Sequence, residues 1–356
     1  MTNSSAQSQR NLPMASLPDT PQHWLLPAIH PVYARLLCAE LQRRGFRADE
    51  ICAGTRLDWA LLHGDNRFLS FEQFRRLVAH ALALSDCPWL GLEVGINAQL
   101  SLHGAMGQAV ASSRDVQEAL QLCQRYMPLR QRIFGVAIER DDEALRLVAI
   151  EQIDVPELRE FMLGYLSATL IRLLEAVTGQ PLQAQVRIDW PFPEPAWAGE
   201  YQRLAVHNRF GQPRLAASLP LPFLYRQSLS ADAEASRIAV RECERQWQQQ
   251  QQGGTVTQRV QSRLVQCSGQ YPALLEMATF ENVSSRTLIR QLREEGSSYQ
   301  QLLDSVREEL SCWLLLQTDR SVESVAERLG YEDTSNFSRT FRRWTGVTPR
   351  EFRQKR

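Results

Sequence analysis

The chain has no excess charge of either sign. Its 40 Lys and Arg residues balance 40 Asp and Glu residues over 356 positions, so no global field marks a polyanionic partner. Any nucleic-acid contact must rest on local charge. Lysine is all but missing: Lys355 is the single one, which leaves 39 of the 40 as arginine. Codon bias in a GC-rich genome accounts for that as simply as selection for the guanidinium fork, so arginine content carries no functional weight. Paired cysteine is absent too. Cys38, Cys52, Cys87, Cys123, Cys243, Cys267 and Cys312 are scattered without a C-x-x-C pair, which argues against a disulfide framework or a zinc site and fits a reducing cytosol. No run of eighteen or more apolar residues suggests a membrane span. Met1 to Thr20, rich in Ser, Gln, Asn and Pro, lacks the apolar run of a signal peptide and reads as a disordered leader. A soluble, cytoplasmic protein with no membrane partner is expected.

A catalytic constellation is also missing. His63, His80, His103 and His207 stand alone, without the spacing or carboxylate neighbours of a metal or hydrolase motif, and are expected to be hydrogen-bonded structural residues. Ser101-Leu102-His103-Gly104-Ala105-Met106-Gly107 has no nucleophile elbow and no phosphate-binding spacing, and reads as a packed loop bordering a pocket. No catalytic residue, metal or cofactor is expected, and the protein is not expected to be an enzyme.

What is present is one structural sentence written twice. Leu274-Leu275-Glu276-Met277-Ala278 is followed by Val283, Leu288 and Leu292; Val322-Glu323-Ser324-Val325-Ala326 is followed by Tyr331, Phe337 and Phe341. Each copy predicts a short helix with a small inward Ala, a tight turn at Asn282 or Gly330, and a second amphipathic helix. That is a helix-turn-helix, in which the small residue allows close crossing and the turn residue tolerates positive φ. Two of them near the C-terminus point to DNA reading.

The glutamine run Gln248 to Gln252, followed by Gly253 and Gly254, has nothing to bury and reads as a flexible linker over 246–254. Domains are therefore expected at 21–245 and 255–356. In the larger one, Ser70-Phe71-Glu72-Gln73 is a capping box opening a helix through Leu82. Gly135 to Glu139 and Leu145 to Glu151 predict a hairpin around an acidic turn. Glu157 to Val177 reads as one long helix ended by Gly179. Val186, Ile188 and Trp190 alternate as a strand, with a helix near Ala196 to Ala205 and a strand near Pro213 to Ser218 to follow.

In the C-terminal part, Thr257 to Cys267 predicts a supporting helix with Val260, Leu264 and Val265 inward. Ser284 caps the first recognition helix, which turns Leu288 and Leu292 inward and Ser285, Arg286, Ile289, Arg290 and Arg293 outward. Its first turns would enter the major groove, making Arg286 and Arg290 the best base or phosphate contacts and Arg293, one turn deeper, a backbone contact or a solvated charge. Ser297 to Gln300 is a capping box opening a helix to Gln317, whose length of roughly 30 Å is close to the ~34 Å of one DNA turn. In the second copy Ser321 is the N-cap. Phe337, Phe341 and Trp344 face inward, while Thr334, Ser335, Asn336, Ser338, Arg339, Arg342 and Arg343 are outward or flanking. Thr348-Pro349-Arg350-Glu351 starts a last short helix. Phe337 to Arg356 holds seven basic residues and one acidic, so the local charge is there.

Ser324 to Tyr331 followed by Asn336 to Pro349, with Val283 to Arg293 before them, resembles the AraC/XylS family of bacterial transcription regulators over about one hundred residues. The resemblance implies base-reading positions at Arg286, Ile289 and Arg290 in one helix and at Thr334, Ser335, Ser338 and Arg339 in the other. Two residues depart from the pattern: Glu281 stands where an apolar residue is usual, and Asn282 replaces the turn Gly. Roughly residues 45 to 228 resemble the arabinose-binding-type sensory domain of one subgroup, on Leu100 to Gly107, Ser113 to Leu120 and the helix before Thr178-Gly179. The implied fold is α+β and mostly helical, a mixed α/β sensory and dimerisation domain joined to an all-α domain with two helix-turn-helices on a long helix. The implied partners are double-stranded promoter DNA, RNA polymerase, a second copy and an unnamed small-molecule effector. Activation follows from the resemblance. An enzyme domain with a DNA-binding tail, or a ligand-independent oligomerising binder or repressor, are the alternatives.

Overall fold

The computed structural model describes residues 22–64, 68–140, 142, 144–153, 156–182, 185–267 and 269–354. The expected leader and two positions of the acidic turn lie outside them. The chain opens with α1 (Gln22–Leu25), β1 (Pro27–Ile29), α2 (Val32–Arg43), α3 (Ala48–Cys52), α4 (Trp59–Gly64), β2 (Leu69–Ser70), α5 (Phe71–Ser85) and α6 (Leu90–Ile96). A 3₁₀ turn at Leu100–His103 leads into α7 (Gly104–Ala111), then α8 (Val116–Tyr126), β3 (Phe134–Arg140), β4 (Ala144–Glu151) and α9 (Arg159–Thr178). β5 (Arg187–Asp189), β6 (His207–Arg209) and β7 (Ala216–Pro220) complete a five-stranded sheet in the order β3-β4-β7-β5-β6. Its neighbours are antiparallel except β5 with β6. All-helical chain follows: α10 (Ala233–Gln251), α11 (Val256–Gln266), α12 (Leu274–Phe280), α13 (Ser285–Glu294), α14 (Tyr299–Gln317), α15 (Val322–Arg328), α16 (Thr334–Thr345) and α17 (Pro349–Arg353). Among the described residues the fold is mostly helical, with the two-stranded β1-β2 sheet and the five-stranded mixed sheet both in the N-terminal part.

Local chemistry explains the boundaries. The Ser70 hydroxyl accepts from the Gln73 N–H at 3.1 Å and the Gln73 side chain accepts from the Ser70 N–H at 3.0 Å, the reciprocal capping that starts α5. α9 ends where Gly179 turns left-handed at φ 67°. The stretch Pro156–Thr178 is long and apolar enough to cross a membrane, but 56% of its most apolar window is buried inside the fold, as in a core helix. α6 lies against α9 backbone to backbone, because a Cβ at Gly91 would fall 2.0 Å from the Phe161 carbonyl oxygen.

Three expectations shift. The helix near Ala196 to Ala205 is 3₁₀, over Ala198–Leu204, with Gly199 inside it weakening any α-helix. Ser101 to Gly107 is a 3₁₀ turn running into a helix and not a loop. The glutamine run is helical through Gln251. Glutamine is a good helix former, Cys243 and Trp247 on the same helix pack against Met106 and Tyr126, and Gln250 donates to the Pro128 carbonyl at 3.3 Å; the glycines break the helix only after it.

Candidate DNA-reading surface and buried cavity

In the first helix-turn-helix, Ala278 is 1% exposed between α12 and α13, and Asn282 adopts φ 55°, the left-handed turn expected of it. The Ser284 hydroxyl accepts from the Thr287 N–H at 3.1 Å and starts α13. Leu288 and Leu292 are buried, which fixes the rotation of the helix. Arg286, Ile289, Arg290 and Arg293 are exposed and Ser285 is half-buried. Ile289 is 50% exposed, a large apolar side chain among arginines. Glu281 is compensated. Its carboxylate accepts from Arg259 Nε at 2.6 Å and lies 3.6 Å from Arg263, so an ion pair ties α11 to the motif where an apolar contact is usual.

The second motif turns at Gly330, φ 75°, and Ser321 caps α15. α16 is capped by Asp333, whose carboxylate accepts from the Ser335 N–H at 2.8 Å; sequence reading passed over it, although an Asp just before Thr334 is a common cap. Phe337 and Phe341 are fully buried and Trp344 half-buried. Ser335, Asn336, Arg339 and Arg342 are exposed, with Thr334 and Ser338 half-buried. Arg339 donates to Asn336 at 3.0 Å, which preorders both side chains on the outer face. Arg343 lies 3.8 Å from Asp304 of α14. The cap of α14 is Ser298, one residue later than expected, and its 19 residues span about 28 Å at ~1.5 Å each.

α14 is also the seat of a contact that sequence reading missed. Glu309, 6% exposed, accepts from the Ser70 hydroxyl at 3.1 Å and from the Gln73 amide, the two residues that cap α5. Burial pushes its carboxyl up to about 7, against the opposing charge of Arg76 and the Ser70 hydrogen bond. Beside it Arg56 touches the Cys312 sulfur, lies 3.6 Å from Glu308 and stacks over Phe352 at 4.7 Å. A charged residue between Val306 and Leu310 looks like a solvated face until its partner is known.

An apolar cavity of about 150 Å³ lies between α9 and the β3, β4 and β7 face, closed by α7, α8 and Tyr33. Leu100, His103, Met106 and Gly107 line it, so the segment expected to border a pocket does so. His103 departs from the expectation of a hydrogen-bonded structural histidine. It is 4% exposed and its Nδ1 finds no partner among the described residues. Burial and the Arg130 charge hold it down to about 4. Arg130, itself buried, donates to the His103 carbonyl at 2.5 Å through Nη2, while its Nε has no partner among the described residues. Tyr165 and Thr169, one turn apart on α9, carry hydroxyls without a hydrogen bond of normal geometry among the described residues.

Residues 45–227 match the family model described as the arabinose-binding domain of AraC transcription regulator, N-terminal, and residues 277–355 match a helix-turn-helix domain. The chain is 32% identical over 340 residues to an ornithine utilization regulator of Pseudomonas aeruginosa, covering 94% of this chain and 98% of that one. It is 25% identical over 299 residues to the transcriptional regulator VirS of Mycobacterium tuberculosis, covering 82% and 86%. A solved structure of the transcriptional regulator CdpR from Pseudomonas aeruginosa is similar at 24% identity and TM-score 0.48, covering 91% of this chain and 98% of that one.

Proposed function

Starting from the chain's membership of the AraC family of transcription regulators, whose helix-turn-helix part binds DNA, we propose that it is a cytoplasmic, metabolite-responsive activator reading two successive major grooves. The observation that carries this is the pair of recognition helices: buried Leu288 and Leu292, and buried Phe337 and Phe341, fix which side of α13 and α16 faces outward. On those sides Ser285, Arg286, Ile289 and Arg290, and Thr334, Ser335, Asn336, Ser338, Arg339 and Arg342, contact DNA, with Ile289 suited to a thymine methyl. Residues 255–356 form the DNA-binding domain; 21–245 sense the effector and join two copies, whose four reading heads raise specificity through effective concentration. RNA polymerase is the downstream partner.

Two features support effector coupling. Phe74 lines the cavity and follows Gln73, which holds Glu309 on α14. α10 packs against the cavity wall through Ala239 and Cys243 and leads directly into α11. The relative's name makes ornithine one compound to test. Footprinting on genomic DNA with wild type beside Arg339→Ala checks the reading: discrete sites that vanish in the variant are expected. Transcription from a site-bearing promoter with purified polymerase, run with and without the effector, then gives the sign, and repression or no effect in the presence of effector removes the activator.

A further inference from the structure

The cavity has a chemical polarity of its own. Among the described residues its wall carries no Asp, Glu, Lys or Arg, and apolar cavities of about this volume stay dry and accept benzene-sized ligands. At one corner the rings of Tyr33 and His103 lie 5.8 Å apart and those of Tyr33 and Tyr165 5.7 Å apart. Arg130 sits beside that corner, close enough to depress His103, and no carboxylate among the described residues pairs with it. His30, next to it, is neutral for the same reasons of burial and positive surroundings, with Nδ1 accepting from the Val32 N–H at 3.1 Å. Behind the corner therefore lies one buried cation, Arg130, whose Nε has no partner among the described residues, and on its wall a neutral His103 whose Nδ1 has none either. A buried charge left without a counterion is costly, and an anionic ligand relieves that cost.

We infer that the cavity takes an apolar monocarboxylate, its charged end at the Tyr33 and His103 corner in the field of Arg130 and its hydrocarbon body between α9 and the sheet. This rests on the effector-sensing reading and gives the effector a chemical class. A cationic ligand is disfavoured by the sign of the corner, and a polyol by the apolar wall.

Isothermal titration of the full chain with octanoate, 1-octanol and octylammonium tests the sign at constant chain length; phenylacetate separates an aryl body from an alkyl one. Octanoate or phenylacetate is expected to bind about ten- to a hundredfold more tightly than octanol, and octylammonium more weakly still. Arg130→Gln keeps a donor for the His103 carbonyl and removes the charge, so acid affinity should fall to the level of octanol while octanol affinity stays put. Should that variant fail to fold, the wild-type comparison of acid with alcohol still decides. Octanol matching both acids, octylammonium binding best, or neither acid binding at millimolar concentration overturns the inference. Operator affinity measured in the same samples separates the two readings: acid binding that leaves operator affinity unchanged upholds the cavity chemistry and refutes effector sensing through it.

Discussion

Glu309→Gln should abolish a pH dependence that the wild type carries. The carboxyl rises from 4.5 to about 7 because α14 buries it against α5. The sign follows from which state holds the proton. Between roughly pH 4.5 and 7 the docked chain keeps a proton that the unfolded chain has released, so stability falls as pH rises through that window and is level above it. At ~1.36 kcal/mol per pKa unit the full effect is on the order of 3 kcal/mol, most of it falling between pH 5 and pH 8. Glutamine preserves shape and a neutral hydrogen-bonding end while removing the titration. The assay is urea unfolding of both proteins at pH 5, 6, 7 and 8, read as the difference between them. That difference cancels the contributions of His30 and His103, which both proteins share. Wild type should lose roughly 2 to 3 kcal/mol relative to the variant across the range. Parallel profiles would refute the argument, because they would mean that Glu309 meets water in the folded chain.

Arg290→Ala and Arg339→Ala should each weaken operator binding by ~1 to 3 kcal/mol and relax preference at one base position, checked by gel shift on a randomised operator; uniform weakening with a shallower salt slope would reassign them to phosphates. Ile289→Ala should leave the melting temperature almost unchanged, since the side chain is half exposed, yet lower selectivity for thymine at one position. If selectivity holds, Ile289 does not meet a base. Glu281→Ala leaves Arg259 and Arg263 without their carboxylate and should cost about 3 kcal/mol in urea unfolding, the low end for a buried pair because Arg259 is a third exposed. A loss under half a kcal/mol, roughly the level of a surface change, would show that water already screens the pair.

The C-terminal part was legible because its information is local. Caps at Ser284, Ser321 and Thr348 were each read from a few neighbouring residues, as were the small Ala at each crossing and the inward Leu and Phe rows, and each sits where the spacing put it. The same holds for the hairpin and the helix before Gly179. Illegible were features made by residues far apart in sequence. Glu309 meets Ser70 and Gln73 across more than 230 positions, and His103 meets Arg130 across 27. Glu281 was flagged as a departure, but its arginine partners stand a helix away. The glutamine run misled for another reason: polarity was taken for flexibility, although glutamine propagates helix well once a neighbouring turn is packed.

Leu25, 2% exposed, belongs to the same core as Val260, Leu264 and Leu315. The last folded unit of the chain is therefore finished by some of its first residues. A fragment starting at 255 would be born with a raw apolar notch on α11 and α14, so its solubility should be poorer than its composition suggests, and a peptide spanning residues 22–26 should protect it from aggregation. In the growing chain that notch stays open until the two ends meet, which ties completion of the DNA-reading part to the survival of a short segment made some two hundred residues earlier.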